Sequence, residues 1–146
     1  MSSLVLVSGG FDPVHSGHIN LIKEASIYGE VVVLLNSDEW LRKKKGNEFL
    51  PYFEREIIMQ SIKNVKAVLS FDDKDMTCID GLKKAILKYP NYNIKFANGG
   101  DRNETTVPNQ ETIFCNENNI EILWGIGGNF KANSSSQILK RWNKLS

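Results

Sequence analysis

Apolar positions along this chain alternate between uninterrupted short runs and stripes at helical spacing. Leu4 to Ser8 is aliphatic and β-branched, ends at Gly9 and Gly10, and reads as a strand buried on both faces. Ile19, Leu21, Ile22 and Ala25 then give the stripe of a predicted helix over Ile19 to Tyr28, stopped near Gly29. Val31 to Leu35 is a second unbroken apolar run. Pro51 to Ile62 is predicted as a helix with an apolar stripe of Phe53, Ile57, Ile58 and Ile62, followed by a strand over Val65 to Ser70. A further helix carries Ile79, Leu82, Ala85, Ile86 and Tyr89 and closes at Pro90. Strands at Ile94 to Ala97 and Ile120 to Trp124 flank a helix over Asn109 to Asn118, and a last helix carries Ile138, Leu139 and Trp142. About five strands alternating with helices predict a single doubly wound α/β sheet with helices on both faces.

The polar residues sharpen this picture, because the unusual clusters fall after the carboxyl ends of strands. In an open parallel sheet that edge is where ligands sit. After the first strand comes Ser8-Gly9-Gly10-Phe11-Asp12-Pro13-Val14-His15-Ser16-Gly17-His18. Gly9 and Gly10 allow close backbone approach and dihedrals closed to other residues. A helix N-terminus behind them favours an anion, and His15 and His18, three apart, share a side once the helix has begun. The blander alternative is a tight turn whose histidines only cap or pack. After the second strand, Asn36-Ser37-Asp38 leads to Leu41-Arg42-Lys43-Lys44-Lys45-Gly46, which reads as a mobile basic loop able to gather around a triphosphate. After the fourth comes Asn98-Gly99-Gly100-Asp101-Arg102, and after the fifth a glycine-rich stretch ending in Ser134-Ser135-Ser136, a helix cap or a second anion site. Asp72, Asp73 and Asp75 read as an acidic helix start rather than a metal site.

Composition narrows the function classes. A net charge of +1 argues against nucleic acid or a membrane surface as partner, so phosphate binding has to be local. The 146 residues are expected to form one domain, 1–146. Cys78 and Cys115 lack metal-ligand spacing, and with no leader or apolar span in view the expectation is a cytoplasmic protein with reduced thiols. No G-x-x-x-x-G-K-[ST] occurs, and Gly9-Gly10 does not continue as G-x-G-x-x-G. An inventory of glycines, histidines, lysines, hydroxyls and helix ends suits phosphoryl or nucleotidyl transfer, where catalysis is positioning plus charge stabilisation.

Gly10 to His18, with its H-x-G-H core, resembles the signature of the cytidylyltransferase-like nucleotidyltransferase superfamily. Asn36-Ser37-Asp38-Glu39 and the following lysines resemble the loop of glycerol-3-phosphate cytidylyltransferases and heptose-phosphate adenylyltransferases. Phe53-Glu54-Arg55, Gly99-Gly100-Asp101 and Ser134 to Ile138 are similar to further motifs of that superfamily, in the same order. The resemblance implies a Rossmann-like fold and a reaction in which a small phosphorylated alcohol or sugar attacks the α-phosphorus of an NTP and releases pyrophosphate. It implies catalytic roles for His15, His18 and Lys45, with Lys43 and Lys44 also near phosphate. Nucleotide contacts would come from Gly9, Gly10, Phe11, Arg55, Asn98, Gly100, Asp101, Ser134, Ser135 and Ser136. It further implies Mg²⁺ carried on the triphosphate, no metal held by protein ligands alone, and a homodimer.

One departure leaves the base open between CTP and ATP. Glycerol-3-phosphate cytidylyltransferases carry an Arg-Thr pair before the serine run, and Gly127 to Ser134 has none. Pantetheine-phosphate or nicotinamide-mononucleotide adenylyltransferase activity is an alternative within the superfamily, and a non-catalytic nucleotide-binding module an alternative outside enzymes. The three tryptophans, Trp40, Trp124 and Trp142, are expected in the core.

Overall fold

A computed structural model describes residues 1–99, 107–128 and 135–145. Its elements run β1 (Ser3–Gly9), α1 (Ser16–Ala25), β2 (Glu30–Leu35), α2 (Asp38–Lys45), α3 (Tyr52–Gln60), β3 (Val65–Leu69), α4 (Ile79–Lys88), β4 (Asn93–Gly99), α5 (Asn109–Glu117), β5 (Glu121–Ile126) and α6 (Ser135–Leu145). The five strands form one parallel sheet in the order β3-β2-β1-β4-β5, the Rossmann-like arrangement expected from the apolar runs. Chain progression reverses at β1, so the crevice between the ends of β1 and β4 is the topological switch point. That is where the sequence places its first glycine turn.

Alternation along each strand divides the core between two faces. Leu4, Leu6, Val32, Leu34 and Phe96 point to one side and pack with Leu82 and Ala85 of α4 and Cys115 of α5. Val5, Val7, Val31, Val33 and Leu35 point to the other, against Ile22 and Ala25 of α1 and Met59 of α3. Both sets are fully buried, which is why the runs carry no polar alternation.

Four expectations about the fold are corrected. The basic stretch is not a loop: Asp38 to Lys45 is helix α2, capped by Ser37, whose Oγ accepts from the Trp40 N–H at 3.1 Å. Acidic Asp38 and Glu39 occupy its first turn and four basic residues its last, both complementing the helix dipole, and Gly46 ends it at φ 88°. Secondly, α3 does not bury the predicted stripe. Phe53 and Ile57 are 60% and 57% exposed, while Arg55 and Met59 face inward. Thirdly, the aspartates do not start α4, which begins at Ile79. Asp73 is buried and accepts from Asn36 Nδ2, Ser37 N and Ser37 Oγ, and Asp72 and Asp75 close local turns on Lys74 and Thr77. None of the three tryptophans belongs to the buried core either; Trp40 and Trp124 are half-buried and Trp142 is exposed.

The inward turn of Arg55 has a polar cause. Its Nε donates to Leu50 O at 2.9 Å, its Nη1 to Gly10 O and Asn36 O at 3.0 and 2.8 Å, and its Nη2 to Asp38 Oδ1 at 2.7 Å. One guanidinium thereby ties the ends of β1 and β2 to the starts of α2 and α3. Arg55→Ala is expected to cost about 3–5 kcal/mol, because it strands Asp38 and three carbonyls in a buried site. Urea unfolding checks this; a loss below about 1 kcal/mol would show the network to be marginal.

Candidate active site

The turn between β1 and α1 is built by its own side chains. His15 is the N-cap of α1: its Nδ1 accepts from Gly17 N at 3.0 Å, and His18 Nδ1 accepts from His15 N at 3.2 Å. This is a reciprocal capping box made of two imidazoles in place of the usual hydroxyl and carboxylate. It has a chemical consequence. A nitrogen that accepts a backbone N–H carries no proton, so in both neutral rings the hydrogen sits on Nε2 and is available as a donor. The capping alternative and the functional one are therefore not exclusive.

The rings are also held neutral. Their centroids lie 3.9 Å apart, and the edge of Phe11 meets His18 at 4.8 Å. Burial, then the neighbouring His15, then Lys45 hold His18 down to about 3. His15 is lowered by burial and by Lys45. The Lys45 side chain is exposed along much of its length, but its ammonium donates to Asp12 O at 3.2 Å and its partial desolvation lowers its pKa. Of the three lysines, Lys45 is the one whose charge acts on both imidazoles. Lys44 lies over the Trp40 ring at 5.6 Å, and Lys43 is exposed.

Other predicted residues take different places. Gly10 and Gly9 do not use positive φ; the residue of that turn that does is Phe11, at 49°. Space is the reason for Gly10, since a Cβ there would stand 2.6 Å from Leu41 Cδ2 of α2. Arg55, which the resemblance gives to phosphate, has four of its N–H donors occupied by protein acceptors, and its side chain is fully buried. Ser135 is buried and its Oγ donates to Pro13 O at 2.8 Å, which brings the start of α6 against the β1–α1 turn. Ser136 is exposed. Gly127, at φ 84°, is gripped by α1: its N–H donates to Glu24 Oε2 and its carbonyl accepts from Asn20 Nδ2. Gly100, Asp101 and Ser134 lie outside the described residues.

Some contributors had no signal in the sequence pattern. The carboxylate of Asp12, inside the first motif, accepts from Phe49 N and Leu50 N at 2.6 and 2.8 Å and fixes the α2–α3 connection. A cavity of about 490 Å³ opens at the strand ends, with Gly9, Asn36, Trp40, Lys44, Asn98 and Glu111 among its walls. That volume is in the usual range for a small-molecule site. A larger, shallower depression lies at the opposite, amino-terminal edge of the sheet, between Ser2 and Lys66, away from this chemistry.

Two neutral imidazole donors, an ammonium and a helix N-terminus meet at the switch point of the sheet. A family profile described as Cytidylyltransferase-like matches residues 6–138. The chain belongs to that nucleotidyltransferase family. It is 28% identical over 145 residues to the "Bifunctional protein HldE" of Geobacter metallireducens, covering 97% of this chain and 28% of that protein. The HldE of Citrobacter koseri is 27% identical over 146 residues, with 97% and 28% covered. The chain thus spans little more than a quarter of the length of these relatives. A crystal structure of a lipopolysaccharide core biosynthesis protein from Thermoplasma volcanium shares the fold, with TM-score 0.64, 21% identity, and 85% of this chain and 94% of that chain covered. Among the described residues, no helix is long and apolar enough to cross a membrane.

The lowered histidines give a pH prediction. Their folded-state pKa lies below the ordinary 6.5, so protons favour the unfolded chain. Stability therefore rises with pH between about 3 and 6.5, by up to about 1.4 kcal/mol per pH unit for His18. In an NMR titration the His18 ring signal is expected to stay flat from about pH 8 to pH 5; a midpoint at the ordinary 6.5 would contradict its buried, neutral state.

Proposed function

We propose that this chain transfers NMP from ATP or CTP to the phosphate of a small alcohol or sugar, of the glycerol-3-phosphate or heptose-phosphate kind, and releases pyrophosphate. The observation that supports the reading is the pairing of His15 and His18 as Nε2–H donors beside Lys45 at the N-terminus of α1. An oxygen of the acceptor phosphate attacks the α-phosphorus. The bond from that phosphorus to the bridging oxygen breaks, and the electron pair leaves on pyrophosphate. The attacking group is already an anion, so no general base is required. What the protein has to supply is alignment and stabilisation of negative charge. Neutral imidazoles donate hydrogen bonds without having to give up a proton, and the Lys45 ammonium keeps two of its three N–H bonds beyond the one to Asp12 O. Ser135 donates to Pro13 O, and that closeness of α6 to the β1–α1 turn supports a further contact from α6 to the triphosphate.

Mg²⁺ fits this reading as a passenger of the nucleotide. Among the described residues no group of three or more His, Cys, Asp or Glu is arranged to hold a metal ion, and magnesium is commonly held through substrate phosphates. When bound it would neutralise triphosphate charge. A dimer remains part of the proposal on resemblance alone.

Pyrophosphate release with ATP or CTP, Mg²⁺ and a panel of phosphorylated acceptors tests the reaction. Nucleotide binding with no release for any acceptor would favour the non-catalytic module. Lys45→Met is expected to lower kcat by about 10²–10³-fold, the scale of losing one preorganised charge-stabilising donor. His18→Ala should cost a comparable factor and, by removing half of the capping box, about 1 kcal/mol of stability. A Lys45→Met protein with unchanged kcat would remove Lys45 from the chemistry.

A further inference from the structure

The cavity at the strand ends holds two polar groups outside the charge-stabilising set described above: Asn98, which the resemblance gives to the nucleotide, and Glu111. Asn98, at the end of β4, is 3% exposed, and its Nδ2 has no hydrogen-bond partner. Glu111, in the first turn of α5, is 6% exposed; its Oε2 accepts from the N–H of Cys78, the residue before α4, at 2.9 Å. Both line the same cavity. A buried amide hydrogen without an acceptor is costly unless something else fills the role.

We infer that Asn98 and Glu111 form the part of the site that selects the acceptor, by reading a hydroxyl on its carbon skeleton. This rests on the transfer reaction proposed above. An amide donor and a carboxylate acceptor in one cavity match a hydroxyl, which both accepts and donates. An ammonium would satisfy Glu111 and leave Asn98 Nδ2 unpaired; an alkyl chain would satisfy neither. A phosphate is repelled by Glu111, so the phosphorylated end lies away from it, towards Lys44, Lys45 and the histidines. The nucleotide is the less suitable occupant. Its triphosphate is assigned to the α1 and α6 side, where Ser135 meets Pro13, whereas Cys78 belongs to the core cluster on the α4 and α5 face. Trp40 and Lys44 of α2 and Met76 to Cys78 of the β3–α4 connection complete the wall on that side.

Calorimetry on the whole chain tests this directly, with glucose 1-phosphate, glycerol 3-phosphate and propyl phosphate as probes. The two hydroxylated phosphates are expected to bind at least about tenfold more tightly than propyl phosphate, a gap typical of one buried hydrogen-bonding site left unpaired. Glu111→Gln keeps an oxygen for the Cys78 N–H and should close that gap, with ATP and CTP affinities retained. Asn98→Ala should close it as well, and serves if Glu111→Gln does not fold. Equal binding of all three phosphates to the unmodified protein would overturn the inference without any variant. So would substitutions that weaken ATP or CTP and preserve the gap between acceptors. Hydroxyl-dependent binding with no pyrophosphate released from any acceptor would sink the transfer reaction and uphold the subsite.

Discussion

The buried guanidinium of Arg55 is the contact on which the arrangement of the strand ends depends. It holds carbonyls from Gly10 and Asn36, the first residues after β1 and β2, and it pairs with Asp38 at the start of α2. Parallel strands bring their carboxyl ends to one edge, and every connection leaving that edge carries backbone groups that need partners. A single side chain with donors in a fixed planar fork satisfies several of them at once. Around it, Asp12 secures residues 49 and 50, and Asp73 secures Asn36 and Ser37. The glycine turn, α2 and the β3–α4 connection are thus held by buried polar contacts as well as by the packing of Phe11, Leu41 and Phe71.

The sheet was legible in the sequence because its physics is local. Leu4 to Val7 and Val31 to Leu35 are unbroken apolar runs, and only a strand covered on both faces uses such runs economically. The histidine turn was legible for a related reason: its capping contacts span three residues. The signals of helix α2 are present in the sequence: Ser37, the acidic first turn, the basic last turn and Gly46 are all consistent with a capped helix. The density of like charge at Lys43 to Lys45 competes with them, since packed cations without a partner favour a loop.

What could not be read are the groups whose roles depend on distant partners. Nothing near Arg55 announces that Gly10 O, 45 positions away, will accept its hydrogen, and a helical apolar stripe through Phe53 and Ile57 is the natural inference without it. Glu111 and Cys78 are 33 positions apart, and their meeting follows from helix packing over the sheet. Gly9 and Gly10 show a subtler version. Glycine there is expected for close approach and for dihedral freedom; neither residue uses a positive φ, and the close approach at Gly10 is to the Leu41 side chain of another element.

The hydrogen bond from Ser135 to Pro13 spans 122 positions of chain, and the grip of Asn20 and Glu24 on Gly127 spans more than a hundred. The surroundings of the β1–α1 turn are therefore assembled from segments that leave the ribosome far apart in time. The imidazole pair can form with its own helix early, but its neighbour across the cleft arrives only with the final helix. A chain cut after β5 would keep its histidine turn while losing the Ser135 contact that closes on Pro13.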